Sequence, residues 1–276
     1  MYESFYGLRV RPFGKTPDPA FLWEGPTHAE ALARLELAAH DKEVAVLTGD
    51  VGTGKTTLTR ALIDRLGDSF KIVLLINPRL SPAELLAFIA ERLGVQTPAR
   101  TKTKLYDALT GRLFALYEAG ETPLIIVDEA HLIPTRAVFE ELRLLMNLQL
   151  DDAQLLGLLL VGQPELRERL AKKDLKSFVQ RVGVAYHLRP LTRQDVGSYI
   201  AHRLAVAGRE EPLFEEGALD IVHEASGGVP RRINVICQAA LLVGFGNQSS
   251  RIDHAIIEDV WNDLRTHLGV AFDGAG

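Results

Sequence analysis

This sequence predicts an α/β fold: a five-stranded parallel sheet sandwiched between helices, followed by an all-helical region. Three observations predict it. Apolar runs at 44–48, 71–76, 124–127, 155–161 and 182–188 alternate with helical patterns, as in a parallel sheet buried on both faces. The run Gly49-Asp50-Val51-Gly52-Thr53-Gly54-Lys55-Thr56-Thr57 stands between the first apolar run and a helix, the setting of a phosphate-binding loop. From Thr192 onward only helical patterns remain.

The elements follow in order. Residues 1–26 hold Phe5, Tyr6, Pro12, Phe13, Pro17, Pro19, Phe21 and Trp23. They read as an extended, irregular segment pinned by its aromatics onto the core. Thr27-His28-Ala29-Glu30 has the capping-box form and opens a helix to about Ala39, with Ala31, Leu32, Leu35 and Ala38 on one face. The phosphate-loop helix and the strand 71–76 come next. Ser81 caps a helix that has Pro82 in its first turn and Gly94 at its stop. A helix from about Lys102 to Ala119 ends at Gly120, and Pro123 leads into the strand 124–127. Pro134 and Thr135 open a helix to about Leu150. The strand 155–161 ends at Gly162-Gln163-Pro164, and a short charged helix with Glu165, Arg167, Glu168 and Arg169 precedes the fifth strand. The helices beyond are Thr192–Ala207, Glu215–Ala225, Pro230–Gly244 and Asp253–Leu268. The expected division is an N-terminal segment 1–26, a nucleotide-binding αβα domain 27–190, a helical lid 191–268 and a frayed tail 269–276.

Composition bounds the function classes, weakening a DNA-binding reading without excluding it, since a local patch can do the job. With a net charge of −5 over 276 residues there is no overall basic field to hold nucleic acid or an anionic membrane. The one cysteine, Cys237, cannot form an internal disulfide and reads as a small buried residue of a protein in a reducing cytoplasm. No apolar run approaches the ~20 residues of a membrane span. The eight histidines show no metal-ligand spacing.

Chemistry concentrates at strand ends. In the loop, glycines let the backbone wrap so that amide N–H groups face phosphate oxygens, and the helix start adds its positive dipole end. Residues Gly49 to Thr57 are thus candidate ATP-binding residues; Lys55 reaches the β- and γ-phosphates, and the Thr56 hydroxyl binds Mg²⁺. The strand 124–127 ends in Asp128-Glu129, roughly 70 residues after the loop. This reads as a Walker B element, with Asp128 holding Mg²⁺ and Glu129 orienting the attacking water. Asp128-Glu129-Ala130-His131 also spells the box of one helicase group, but the residues after 190 are too few and too helical for a second nucleotide-binding-like domain. Gln163, at the end of the fourth strand, is a candidate contact for the γ-phosphate or the water, with a turn role as the alternative. Arg181 precedes the fifth strand and is a candidate finger into a neighbouring subunit's ATP, or else a solvated arginine. In Gly227-Gly228-Val229-Pro230-Arg231-Arg232 a cation sits at a helix start, where the dipole disfavours it; bound phosphate is the natural partner of Arg231, or of Arg232 beside it. Lys172-Lys173-Asp174-Leu175-Lys176 reads as a solvated helix face or loop, with a DNA or partner contact as the alternative.

The phosphate loop, the Asp-Glu strand end, a polar strand-end residue, a pre-strand arginine and the Pro-Arg motif stand in the order found in AAA+ ATPases. The match is closer to the ExeA/GspA-type secretion ATPases, which the chain resembles in Tyr6-Gly7-Leu8, Pro12-Phe13, Thr16-Pro17-Asp18-Pro19, Asp128-Glu129-Ala130-His131, Leu142-Arg143-Leu144-Leu145-Met146-Asn147-Leu148, Val161-Gly162-Gln163-Pro164-Glu165-Leu166 and Gly228-Val229-Pro230-Arg231-Arg232-Ile233-Asn234. The likeness runs from Met1 to about Leu268. It implies a P-loop NTPase αβα sandwich with a helical lid (the AAA+ core), ATP and Mg²⁺ as ligands, and ring or filament assembly. It further implies a role in assembling or energising envelope export machinery: type II secretion, surface pili or exopolysaccharide systems. Longer members continue into a membrane span and a peptidoglycan-binding region, neither of which this sequence contains; it reads as a stand-alone relative or as the cytoplasmic part of something longer. Recruitment to the inner membrane would then come through a partner. A DNA-dependent ATPase regulator of transposition has the same core and lid, and a nucleotide-gated scaffold with slow hydrolysis is a third reading.

Overall fold

The computed structural model describes residues 1–14, 18–95, 101–150 and 153–268. Thr16 and Pro17 of the N-terminal motif, and the tail from Gly269, lie outside the described residues. In chain order the elements are α1 (Tyr2–Phe5), α2 (Pro26–His40), β1 (Val44–Gly49), α3 (Lys55–Leu66), β2 (Phe70–Leu75), α4 (Pro82–Arg92), α5 (Lys102–Glu118), β3 (Thr122–Val127), α6 (Arg136–Leu145), β4 (Gly157–Gly162), α7 (Glu165–Leu170), α8 (Lys176–Val179), β5 (Val182–Leu188), α9 (Arg193–Val206), α10 (Glu216–Ser226), α11 (Pro230–Gly246) and α12 (His254–Leu268). They form two compact units: one of Ala29–Val51 with Leu58–Leu188, the other of Met1–His28, Gly52–Thr57 and Arg189–Gly276.

The first unit is the predicted parallel sheet, in the order β2-β3-β4-β1-β5. Its central strands β1 and β4 are buried along their whole length. A strand buried on both faces needs apolar residues at successive positions, which is why these runs lack alternation. Val44, Val46, Ile125, Val127, Leu158 and Leu160 share one face with the buried side chains of α4, α5 and α6. Helices α2 and α3 bury Leu32, Leu35, Leu58 and Leu62. Glu141 on α6 is a buried carboxylate, neutralised by the Lys102 ammonium and accepting a 2.8 Å hydrogen bond from the Tyr106 hydroxyl. The Tyr106 phenol is pushed well up by burial first and by this carboxylate second.

All strands run the same way, so their carboxyl ends share one edge of the sheet. Thr48 pairs with Gly162 and Val127 with Leu160, which levels the end of β1 with Gln163 and brings Asp128-Glu129 out beside them. Ligands of open α/β sheets bind at this edge.

The second unit is helical around a separate core of α9, α10, α11 and α12. The N-terminal aromatics belong to it. Tyr2, Tyr6 and Phe13 are buried there, so the core on which this segment packs is that of these helices. The segment is not wholly irregular, since Tyr2–Phe5 is helical and Pro19–Phe21 forms a turn of 3₁₀-helix. Arg203 accounts for much of this placement. It is 7% exposed, donates from Nε to the Pro12 carbonyl at 2.5 Å and from Nη1 to the Tyr199 hydroxyl at 2.7 Å, and lies over the Phe21 ring. A buried guanidinium needs its fixed donors satisfied, and the N-terminal backbone supplies an acceptor that the helices lack. Cys237 is fully buried on α11, and burial pushes its thiol well up.

Two local expectations are corrected. Helix α2 starts at Pro26, ahead of Thr27, because proline's fixed φ suits a first helical position. Helix α6 ends at Leu145 and not near Leu150. Beyond it Gln149 bridges Gln154 in antiparallel fashion and the Leu150 N–H donates to the Ala153 carbonyl.

Candidate active site

The phosphate loop leaves β1 at Gly49 and enters α3 at Lys55. Gly52 and Gly54 take φ of +87° and +102°, conformations open to glycine. Lys55 is 8% exposed and Thr53 fully buried, while Thr56 is exposed. An all-amide curve ahead of a helix start fits an anion of the phosphate type. The Thr56 hydroxyl and, in the sheet unit, the Asp128 carboxylate are each hard oxygen donors of the kind that Mg²⁺ takes. Among the described residues no cluster of three or more His, Cys, Asp or Glu is arranged to hold a metal.

Within the helical unit the loop touches the Pro-Arg motif directly. The Arg231 N–H, in the first turn of α11, donates to the Gly52 carbonyl at 3.1 Å. A Cβ on Gly52 would fall 2.7 Å from the Arg231 Cβ and 3.2 Å from Val229 Cγ1. Replacing Gly52 with Ala is therefore expected to weaken ADP binding at least tenfold or so, since both φ and this contact must change. Titration with a fluorescent ADP analogue checks it; affinity within twofold or so of wild type, less than the ~0.6 kcal/mol of RT, would refute it.

In the sheet unit, Asp128 continues β3, with its N–H donating to the Leu75 carbonyl. One of its carboxylate oxygens accepts the Glu129 N–H at 2.9 Å. Glu129 then turns sharply, at φ 51° and ψ 38°. A left-handed glutamate is uncommon and costs of order 1 kcal/mol; it directs the side chain back over the strand ends. There Gln163 Nε2 donates to Glu129 Oε2 at 3.4 Å. His131 Nδ1 lies 3.4 Å from the same oxygen and 3.4 Å from the Gln163 N–H. A neutral ring protonated on Nε2 accepts from Gln163, whereas a doubly protonated ring donates to Glu129.

The structure thus brings Glu129, Gln163 and His131 together, and separately brings Arg231 onto Gly52. Arg181 is exposed between α8 and β5 and donates from Nη1 to the Met146 carbonyl at the end of α6, at 3.3 Å. Sequence reasoning gave no role to two histidines. His131 was legible from its place two residues after Glu129. His28 was not: its Nε2 meets the Thr53 carbonyl at 3.2 Å, across a separation with no local signal.

These features have counterparts in known proteins. A family model described as an AAA domain matches residues 38–170. General secretion pathway protein A of Aeromonas hydrophila is 42% identical over 260 residues, which are 93% of this chain and 47% of the relative. Residues 38–170 carry an AAA domain, and the chain is related to general secretion pathway protein A over nearly its whole length. The ATP-dependent target DNA activator B of Escherichia phage Mu is 30% identical over 146 residues, 53% of this chain and 43% of that protein. The chain spans about half the length of these curated relatives. Among solved structures, the Aeropyrum pernix ORC2 protein in ADPNP-ADP complexes superposes with a TM-score of 0.66 at 20% identity, covering 92% of this chain and 71% of that one. At such identity the likeness establishes the fold alone: a P-loop α/β sheet of AAA type with a helical C-terminal region. Among the described residues no helix is long and apolar enough to cross a membrane.

Proposed function

We propose that this AAA+ chain binds and hydrolyses ATP with Mg²⁺ and couples turnover to the assembly or energising of a bacterial envelope secretion or export machine. The observation that carries the enzymatic part is the Glu129 carboxylate, turned by a left-handed backbone to the carboxyl edge of the sheet and met there by the Gln163 carboxamide. A fixed carboxylate at that place orients and polarises a water for in-line attack, and phosphoryl transfer asks little of a protein beyond positioning and electrostatics. Bound magnesium would neutralise phosphate charge, with Thr56 and Asp128 as its protein ligands. Lys55 would hold the β- and γ-phosphates, Arg231 would meet them from the lid, and Arg181 would serve a neighbouring subunit in a ring or filament. The secretion setting is supported by the 42% identity to general secretion pathway protein A. Residues 27–190 would act as the nucleotide-binding domain and 191–268 as the lid.

A second reading is favoured by the likeness to a phage ATP-dependent target DNA activator: a DNA-dependent ATPase. The net charge of −5 weighs against it. Steady-state ATP hydrolysis against protein concentration, with and without duplex DNA at one fixed salt, separates the two. The expected result is specific activity that climbs with concentration and ignores DNA. Stimulation by DNA that fades as salt rises would favour the second reading. Absence of turnover, with ATP-dependent assembly intact, would leave a nucleotide-gated scaffold.

A further inference from the structure

His28 lies in the first turn of α2 and is 4% exposed. Its Nε2 is 3.2 Å from the Thr53 carbonyl oxygen, and its Nδ1 is 3.5 Å from the Thr27 hydroxyl. A carbonyl only accepts, so the ring carries its proton on Nε2 and donates it to Thr53, leaving Nδ1 to accept from Thr27. Burial holds the imidazole below its ordinary range, with the Thr53 carbonyl acting in the opposite sense. A neutral ring with one committed N–H is thus the state that the site holds.

The geometry of the peptide extends this contact to the loop. No cis bond occurs among the described residues, and in a planar trans peptide the C=O and the following N–H point in opposite directions. Holding the Thr53 carbonyl therefore fixes the direction of the Gly54 N–H. A Cβ on Gly54 would stand 3.3 Å from His28 Nε2, so only a glycine leaves the ring its place. Backbone amides of such a loop are the donors to the α- and β-phosphates.

We infer that His28 is a positioning residue of the nucleotide site: by gripping the Thr53 carbonyl from behind the loop, it keeps the Gly54 N–H aimed at the β-phosphate. This rests on the ATPase reading above. His28 touches no phosphate itself and acts through the peptide that it holds.

The test compares wild type with H28L and H28Q, using equilibrium affinity for ADP and AMP by competition against a fluorescent nucleotide, together with Tm. Leucine removes the donor, whereas the glutamine amide can place its Nε2–H near the lost one. The loss of one aimed donor to a charged group should weaken ADP about tenfold in H28L. AMP, which lacks a β-phosphate, should change by less than about twofold, and H28Q should recover ADP affinity to within about threefold of wild type, each tenfold being ~1.4 kcal/mol. Unchanged ADP affinity in H28L, equal weakening of ADP and AMP, or failure of H28Q to recover would each overturn the inference while leaving the nucleotide reading intact. If wild type bound neither nucleotide, the nucleotide reading itself would fall. Should H28L not fold, H28Q decides alone: near-native ADP affinity supports the role, and a loss of about tenfold removes it.

Discussion

Replacing Glu129 with Gln is expected to leave ATP affinity unchanged and to lower turnover at least about a hundredfold, the low end of what a positioned general base contributes. The reasoning begins with what the substitution preserves. Glutamine has the same length and the same left-handed tolerance, so the turn at φ 51° is not asked to change. Its amide oxygen still accepts from Gln163 Nε2, as Glu129 Oε2 does at 3.4 Å. What disappears is the negative charge that draws a proton from water. Packing effects and the loss of chemistry are therefore separated in one variant. Single-turnover hydrolysis, run beside ATP titration, measures both quantities. Turnover within threefold or so of wild type, well short of a general base's share, would show that Glu129 does not activate the water.

The second large effect concerns stability. Gly228 has φ +72°, and a Cβ added there would fall 2.1 Å from the Leu191 carbonyl oxygen. Backbone occupies that space, so no side chain can swing aside. The same carbonyl region is tied down: the Leu191 N–H donates to Gly228 O at 2.8 Å, and the Gly228 N–H donates to the hydroxyl of fully buried Ser226 at 3.1 Å. Gly228 to Ala must break this pairing or distort the turn that launches α11. Adding the left-handed penalty to a backbone clash, the cost is expected to be roughly 3 kcal/mol or more. Both tryptophans, Trp23 and Trp261, lie in the helical unit. Urea unfolding followed by their fluorescence reports on that unit directly. A midpoint shift equivalent to less than about 1 kcal/mol, the range of an ordinary surface change, would contradict the argument. Because Arg231 follows three residues later, a folded variant should also bind ADP less tightly.

Certain features needed nothing beyond the chain. The alternation of apolar runs with helical periods specified the parallel sheet, because strands buried on both faces favour apolar residues at successive positions. The Gly49–Thr57 run and the Asp128-Glu129 strand end were legible for a related reason. Close backbone wrapping demands glycine, and hard cation chemistry demands oxygen donors, so those requirements are written into residue types a few positions apart. The cap at Ser81 was legible too, and its reciprocal bonds with Glu84 are present.

Other features were decided by tertiary structure. The Gln163–Glu129 bond joins residues 34 apart, His28 reaches Thr53 across 25, and Arg203 reaches Pro12 across 191. No local pattern encodes such pairs, because each depends on which elements the folded chain sets side by side. The N-terminal aromatics show the limit most plainly. Their composition said that they would be buried, but the hydrophobic effect is non-directional and did not say against what. The buried guanidinium of Arg203, which requires carbonyl and hydroxyl acceptors in fixed directions, is directional, and it draws them to the helical unit.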